Sequence, residues 1–247
     1  MRAMATPRRR ARRVSWLRVS AGLAMALLAL LILYQLWMFC MVVWYAYRDP
    51  GSSAIMRQEL ARLREDNPDA KLQYTWVPYD RISNSLKRAV IASEDANFLE
   101  HDGVEWEAIQ KAWEYNQRQE ALGRSKRRGG STITQQLAKN LFLSSSRNYL
   151  RKGQELVLAY MIEHVMSKRR ILELYLNVAE WGTGVFGAEA AARHYYRSGA
   201  AGLGSYQAAK LAAMLPNPRY YDKHRSTGYL NSRTATIAAR MRQAVIP

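Results

Sequence analysis

Between Arg18 and Arg48 the chain carries no charged side chain, so Val19 to Tyr47 is a run of 29 uncharged and mostly apolar residues. A helix needs only about 20 such residues to cross the hydrocarbon core of a bilayer. A cleaved leader would have an apolar stretch of roughly 7–15 residues followed by a small-residue cleavage site, and "FCMVVWYAYRDPG" offers none. The run is therefore expected to be a single transmembrane helix, 19–47. Arg2, Arg8, Arg9, Arg10, Arg12, Arg13 and Arg18 precede it. Positive charge before a first span keeps the N-terminus in the cytoplasm, so residues 1–18 form a basic cytoplasmic tail and the rest of the chain lies across the membrane. Trp37, Trp44, Tyr45 and Tyr47 suit the far interface.

Seven arginines and no acid precede residue 48, so +10 of the net charge of +17 belongs to the exported part. A basic domain tied to a bilayer is drawn to anionic head groups or an anionic substrate. Export argues against nucleic acid as a partner. The one cysteine, Cys40, lies within the span, which excludes a disulfide framework and leaves no thiol for an exported Cys/His zinc site. Of the 247 residues, 49% are hydrophobic, enough for one core of moderate size.

Residues 48–73 are polar and punctuated by Pro-Gly and Asn-Pro, and read as a stalk, in part helical. From Tyr74 onward helical periodicities follow one another with no long β-alternating run, so 74–247 is expected to be a mainly α domain. "GRSKRRGG", 123–130, reads as a basic loop.

Three segments concentrate chemistry. In the first, Ile82, Leu86, Val90 and Glu94 step by four, so Glu94 continues an apolar stripe to the edge of a core or cleft. Desolvation there raises a carboxylate pKa toward the working pH, as a general base requires. Asp95, one position on, points elsewhere and suits hydrogen bonding at the helix end. His101, before Gly103, reads as structural, and Phe98 as core. In the second, "GGSTITQQLAKNLF", Thr132 and Gln135 form a capping box that starts a helix. Ile133, Leu137 and Leu141 make its apolar stripe. Gln136, Lys139 and Asn140 share another face, and with Ser131 and Thr132 they make a site for phosphate. In the third, Arg151 and Lys152 lie four and three residues before Glu155, on a helix whose next seven residues are apolar. Two carboxylates, hydroxyls, amides and three cations suit displacement of a phosphorylated leaving group: one carboxylate deprotonates the incoming hydroxyl, and the cations stabilise the departing anion.

"EDANFLEHDG", "GGSTITQQLAKNLF", "RKGQELVLAYMIE" and "ILELYLNVAEWGTGVFGAEAAARHYY", in this order, closely resemble the motifs of the peptidoglycan glycosyltransferase family, in its monofunctional membrane-anchored branch. The resemblance runs from about Tyr74 to Pro218. It implies a lysozyme-like, two-lobed helical domain whose smaller lobe touches the membrane. It also implies polymerisation of lipid II by inverting transfer, in which the lipid II hydroxyl attacks the lipid-linked glycan chain and undecaprenyl pyrophosphate leaves. Glu94 then takes the general-base position and Glu155 the second glutamate position. Lys139, Arg151 and Lys152 fall on pyrophosphate-binding positions, Ser131, Thr132, Gln136 and Asn140 on substrate-binding ones, and Asp95, Phe98 and His101 on site-shaping ones. No cofactor is obligatory, although a divalent cation, Mg or Mn, is compatible with Glu155. In the fourth motif Leu172, Tyr175 and Leu176 read as helix core, and Asn177 and Glu180 as structural.

Further implied are membrane lipid as a partner, cell-wall synthesis or division proteins as compatible ones, and a place in the bacterial cytoplasmic (inner) membrane with the catalytic domain in the periplasm. Nothing after Pro218 resembles a second catalytic domain, so no transpeptidase activity is expected. Two rival readings remain open: a lytic transglycosylase or muramidase, and a non-catalytic membrane-anchored scaffold for wall assembly. The first has little use for a cationic cluster. The second would be indifferent to Glu94.

Overall fold

A computed structural model describes residues 16–124, 129–146 and 148–247. Most of the basic tail and the core of the basic loop, 125–128, lie outside the described residues. The chain divides into two units, 1–41 and 42–247. The first is supplied by residues 16–41 of α1 (Trp16–Tyr47), whose last six residues belong to the second. Within Arg18–Tyr47 an 18-residue stretch reaches a mean hydropathy of 2.4. Leu23, Met25, Leu28 and Leu33, which at about 100° per residue are spread around the helix circumference, are all exposed. A helix apolar on every side is stable in lipid and not in water, and 30 residues at ~1.5 Å each give about 45 Å, more than a bilayer core requires.

The second unit is mainly helical, as expected. It contains α2 (Ala54–Asp66), α3 (Asn84–Glu94), α4 (Trp106–Ala121), α5 (Ile133–Phe142), α6 (Tyr149–Val165), α7 (Lys168–Val178), α8 (Ala188–Tyr196), α9 (Ser205–Met214), α10 (Pro218–Lys223) and α11 (Gly228–Arg240). Three short strands, β1 (Gln73–Tyr74), β2 (Glu180–Gly182) and β3 (Val185–Phe186), form a small sheet in the order β1-β3-β2. β3 runs parallel to β1 and antiparallel to β2.

Side-chain caps set where the helices begin. Ser53, Ser83, Thr132, Asn148, Ser167 and Thr227 each accept a hydrogen bond from an amide of the first turn, an N–H that would otherwise be unpaired. Asn148 has the greatest bearing on the cationic side chains of α6, because its Oδ1 accepts from the Arg151 amide at 2.7 Å and so fixes the phase of that helix. The apolar stripe predicted for α3 is buried: Ile82, Leu86 and Val90 are at most 2% exposed. α3 packs with α9 and α11, while α5 packs against α2, α6 and α7.

The stretch read as a stalk carries α2. Ile55 and Met56 are buried, and Gln58 donates to Leu143 O at 3.3 Å while accepting from the Ser145 amide at 3.0 Å. Asn177 behaves as read from the sequence. It is fully buried on α7, accepts from Val77 N at 3.0 Å, and donates to Val77 O and Glu173 O, each at 2.9 Å.

Candidate active site

Glu94 is the last residue of α3, where the apolar stripe runs out. Its side chain is 11% exposed. Oε2 accepts from Gln136 Nε2 at 3.0 Å and Oε1 from Ser93 Oγ at 3.1 Å, with Arg233 Nη2 3.8 Å away. Burial pushes the carboxyl pKa up, and the donors from Gln136, Arg233 and Ser93 restrain that rise. The result is a carboxylate of heightened basicity that is still held by directed bonds.

Asp95 serves the scaffold. It is 4% exposed; Oδ2 accepts from the Ile133 amide, the first residue of α5, at 2.9 Å, and Oδ1 accepts from His101 Nε2 at 2.9 Å. His101 Nδ1 in turn accepts from the Gly103 amide at 3.1 Å. That pair of bonds assigns the tautomer: Nε2 carries the proton and the Nδ1 lone pair is occupied. Asp95, His101 and Glu105 come close enough together to suggest a metal site. Yet the imidazole has no lone pair to give, so the cluster is a brace. Gly103 completes it at φ +87°, with Glu163 Cγ 2.8 Å from where a Cβ would sit. Phe98 is fully buried beneath His101, edge to face at 6.5 Å.

The capping box of α5 is present, with Thr132 Oγ1 accepting from Gln135 N at 3.1 Å and Gln135 Oε1 accepting from Thr132 N at 3.0 Å. Thr132 Oγ1 also donates to Gly103 O at 2.6 Å. Its hydroxyl is thus committed to the helix start, and Thr132 does not line the cavity. Ser131, Gln136, Lys139 and Asn140 do. They share a cavity of about 400 Å³ with Arg151, Lys152, Glu155, Tyr175, Glu180 and Arg219.

On the α6 side Glu155, 3% exposed, accepts from Arg151 Nη1 at 2.6 Å and from Lys152 Nζ, which also donates to Ser131 Oγ at 2.9 Å. Lys139 faces the same charges from α5. Burial pulls its pKa down, opposed by Glu155. Arg151 Nε is a buried donor with no partner among the described residues, as is Arg233 Nε beside Glu94. Three cations around one carboxylate leave the pocket net positive and under-satisfied in acceptors, a setting for an anionic ligand. A bare divalent ion does not fit Glu155 as it stands, because both carboxylate oxygens already hold cations. Glu94 is not itself on the cavity wall. Gln136 belongs both to that wall and to the carboxylate, and so joins base and cavity.

Four side chains at the site lie outside the sequence assignments or read there as structural. Arg219 on α10 donates to Glu180 at 2.6 and 3.1 Å and pairs with buried Glu59 at 2.8 Å, which Arg62 also binds. This chain of ion pairs ties α2, β2 and α10 into one wall. Burial raises the Glu180 pKa, and Arg219 opposes the rise. Tyr175 donates to Gln136 Oε1 at 3.0 Å. Arg233 on α11 donates to Ser93 Oγ at 3.1 Å. A local pattern could have flagged only Glu180, as an acid among apolar and glycine neighbours.

The transglycosylase family model matches residues 58–242. A biosynthetic peptidoglycan transglycosylase of Bordetella pertussis is 78% identical over 241 residues, covering 98% of this chain and all of that protein. The protein of the same name from Bordetella avium is 75% identical, over 94% of this chain and 97% of its own. That from a Janthinobacterium species is 58% identical, over 88% and 93%.

Proposed function

The chain belongs to the transglycosylase family, and from that premise we propose that it polymerises lipid II into glycan strands with release of undecaprenyl pyrophosphate. It is a peptidoglycan glycosyltransferase. The observation that carries the finer reading is the pairing of a desolvated carboxylate with a cavity whose wall bears Lys139, Arg151 and Lys152.

In the proposed step Glu94 takes the proton of the GlcNAc 4-hydroxyl of lipid II. The oxygen forms its bond to the MurNAc anomeric carbon of the lipid-linked glycan chain from the face opposite the pyrophosphate. The bond from that carbon to the pyrophosphate oxygen breaks, and its electron pair leaves with undecaprenyl pyrophosphate, so the configuration inverts. The three cations meet the charge as it develops, which removes the need for a general acid. Glu155 holds Arg151 and Lys152 in place and offsets their mutual repulsion. Ser131, Gln136 and Asn140 offer polar contacts on the same wall. Asp95, Phe98 and His101 act through the scaffold.

No divalent cation is required in this scheme, since the cluster supplies the positive charge that a metal would. The apolar helix fits a single-pass anchor. We assign it to the bacterial cytoplasmic membrane with the N-terminus inside and the domain in the periplasm, on the strength of the arginines before it. Membrane lipid is then a constant neighbour, and other wall-synthesis proteins are compatible partners. A cleaving enzyme would share the helix-end glutamate but has no anionic leaving group to match three cations.

Purified full-length protein in detergent micelles, given labelled lipid II, tests the reading. A ladder of glycan products with one undecaprenyl pyrophosphate released per bond formed is expected. No polymer from lipid II, or shortening of preformed strands, would refute it.

A further inference from the structure

Tyr175 lies on α7, 1% exposed, where periodicity alone makes it a core residue. Its hydroxyl is not idle. It donates to Gln136 Oε1 at 3.0 Å, and Gln136 Nε2 donates to Glu94 Oε2 at 3.0 Å. These two bonds depend on each other. A carboxamide has a donor end and an acceptor end, and an ionised carboxylate can only accept. Gln136 must therefore meet Glu94 with its NH2, which leaves Oε1 facing the other way, toward a group that must donate.

Tyr175 is that group. The opposite orientation would set Oε1 against the carboxylate, acceptor to acceptor in a desolvated place, where an unmade hydrogen bond costs most. Two further groups reach Glu94 but cannot replace this arrangement. Ser93 Oγ divides its contacts among Glu94, Ala212 O and Arg233, and the Arg233 guanidinium stands 3.8 Å off. Burial and the charges of Glu94 and Asp95 hold the Tyr175 phenol far above its ordinary pKa, so it remains a donor at any working pH.

We propose that Tyr175 is a positioning residue for the catalytic base: its O–H locks the Gln136 carboxamide with the NH2 on Glu94, fixing the carboxylate in one rotamer and in its ionised form. Tyr175 touches no substrate in this role. It acts on the hydroxyl-activating step through Gln136 alone, and the inference rests on Glu94 being the base.

Tyr175→Phe keeps the ring and removes the hydroxyl, so the packing of α7 is retained. Without the lock the amide can turn, Glu94 loses its directed donor, and its protonated form gains. The acidic limb of the kcat/KM pH profile should move up by about one unit, the worth of one hydrogen bond to a charged group, with KM little changed. Gln136→Leu should move it at least as far. Because Tyr175 acts only through Gln136, the double variant should match Gln136→Leu with no added shift.

Titration of the ¹³C-labelled Glu94 carboxyl in the full chain in micelles gives a readout that does not depend on catalysis. If the carboxyl titrates higher in Tyr175→Phe while no variant or wild type polymerises lipid II, the positioning stands and the proposed function falls. If wild type polymerises and neither Tyr175→Phe nor Gln136→Leu shifts the limb or the carboxyl titration, the positioning is refuted. Independent, additive shifts in the double variant would refute it equally.

Discussion

Replacing Asp95 by Asn isolates what the acid next to the proposed base does. The carboxylate accepts two hydrogen bonds from buried donors, the Ile133 amide at the start of α5 and His101 Nε2, both at 2.9 Å. Asparagine has one acceptor oxygen. If Oδ1 keeps the Ile133 amide, the new NH2 faces His101 Nε2–H. The imidazole cannot reverse its tautomer without setting Nδ1–H against the Gly103 amide that Nδ1 now accepts. One buried donor is left unpaired whichever way the groups turn, at about 1–3 kcal/mol. The lost negative charge at the α5 N-terminus adds about 0.3–1 kcal/mol. A total of about 1.3–4 kcal/mol corresponds to a fall in Tm of roughly 3–16 °C for a unit of this size. Thermal unfolding of the full chain in micelles measures it. His101→Ala should add less to Asp95→Asn than it costs alone, since the two residues share one bond. Assayed well below its own Tm, the Asp95→Asn protein should lose less than about tenfold in kcat, a smaller loss than removal of a general base brings. An unchanged Tm with a rate loss of about 100-fold or more would make Asp95 a participant in the chemistry and refute the brace.

Asn177→Ala should lower stability by about 3 kcal/mol, because the Val77 amide and carbonyl both lose their partner in a fully buried place, while kcat at low temperature holds; chemical denaturation and the polymerisation assay check the two halves. Lys139→Ala should slow polymerisation through weaker use of the lipid-pyrophosphate donor, and Lys111→Ala, on the exposed face of α4, should not; equal effects would remove Lys139 from the leaving-group site. Glu94 also gives a stability prediction with a definite sign. Its folded pKa is raised above the ordinary 4.5, so the folded state binds the proton more tightly, and stability declines as pH rises through that window. Glu94→Gln should therefore melt at or above the wild-type temperature at neutral pH and lose its advantage in acid, as read by Tm against pH.

What is legible in the sequence is local. The uncharged run of α1, the Thr132–Gln135 cap and the four-residue steps that carry Glu94 to the end of α3 each need only a few neighbouring residues to be read, and each appears as expected. The Arg151, Lys152 and Glu155 group is legible for the same reason. α2 reads as stalk because its polar surface and flanking Pro and Gly resemble a linker. Nothing within it announces that Glu59 is buried against Arg219, 160 positions away. Arg233 reaches Ser93 across 140 positions and Tyr175 reaches Gln136 across 39. In the sequence such residues look like a surface charge and a core aromatic, because the partner that gives each its role is set by the packing of whole helices. Thr132 shows the converse. Its pattern fits two roles, and the cap and Gly103 O occupy the hydroxyl that substrate would have used.

The role of Glu94 as the base is tested most directly by the rate at which the full-length Glu94→Gln protein polymerises labelled lipid II, measured beside wild type at equal occupancy with the lipid-linked donor. Glutamine keeps the shape and the bond to Gln136 but cannot take a proton. A loss of at least about 100-fold in polymer formation is expected, with donor binding intact. Polymerisation at the wild-type rate would contradict that role.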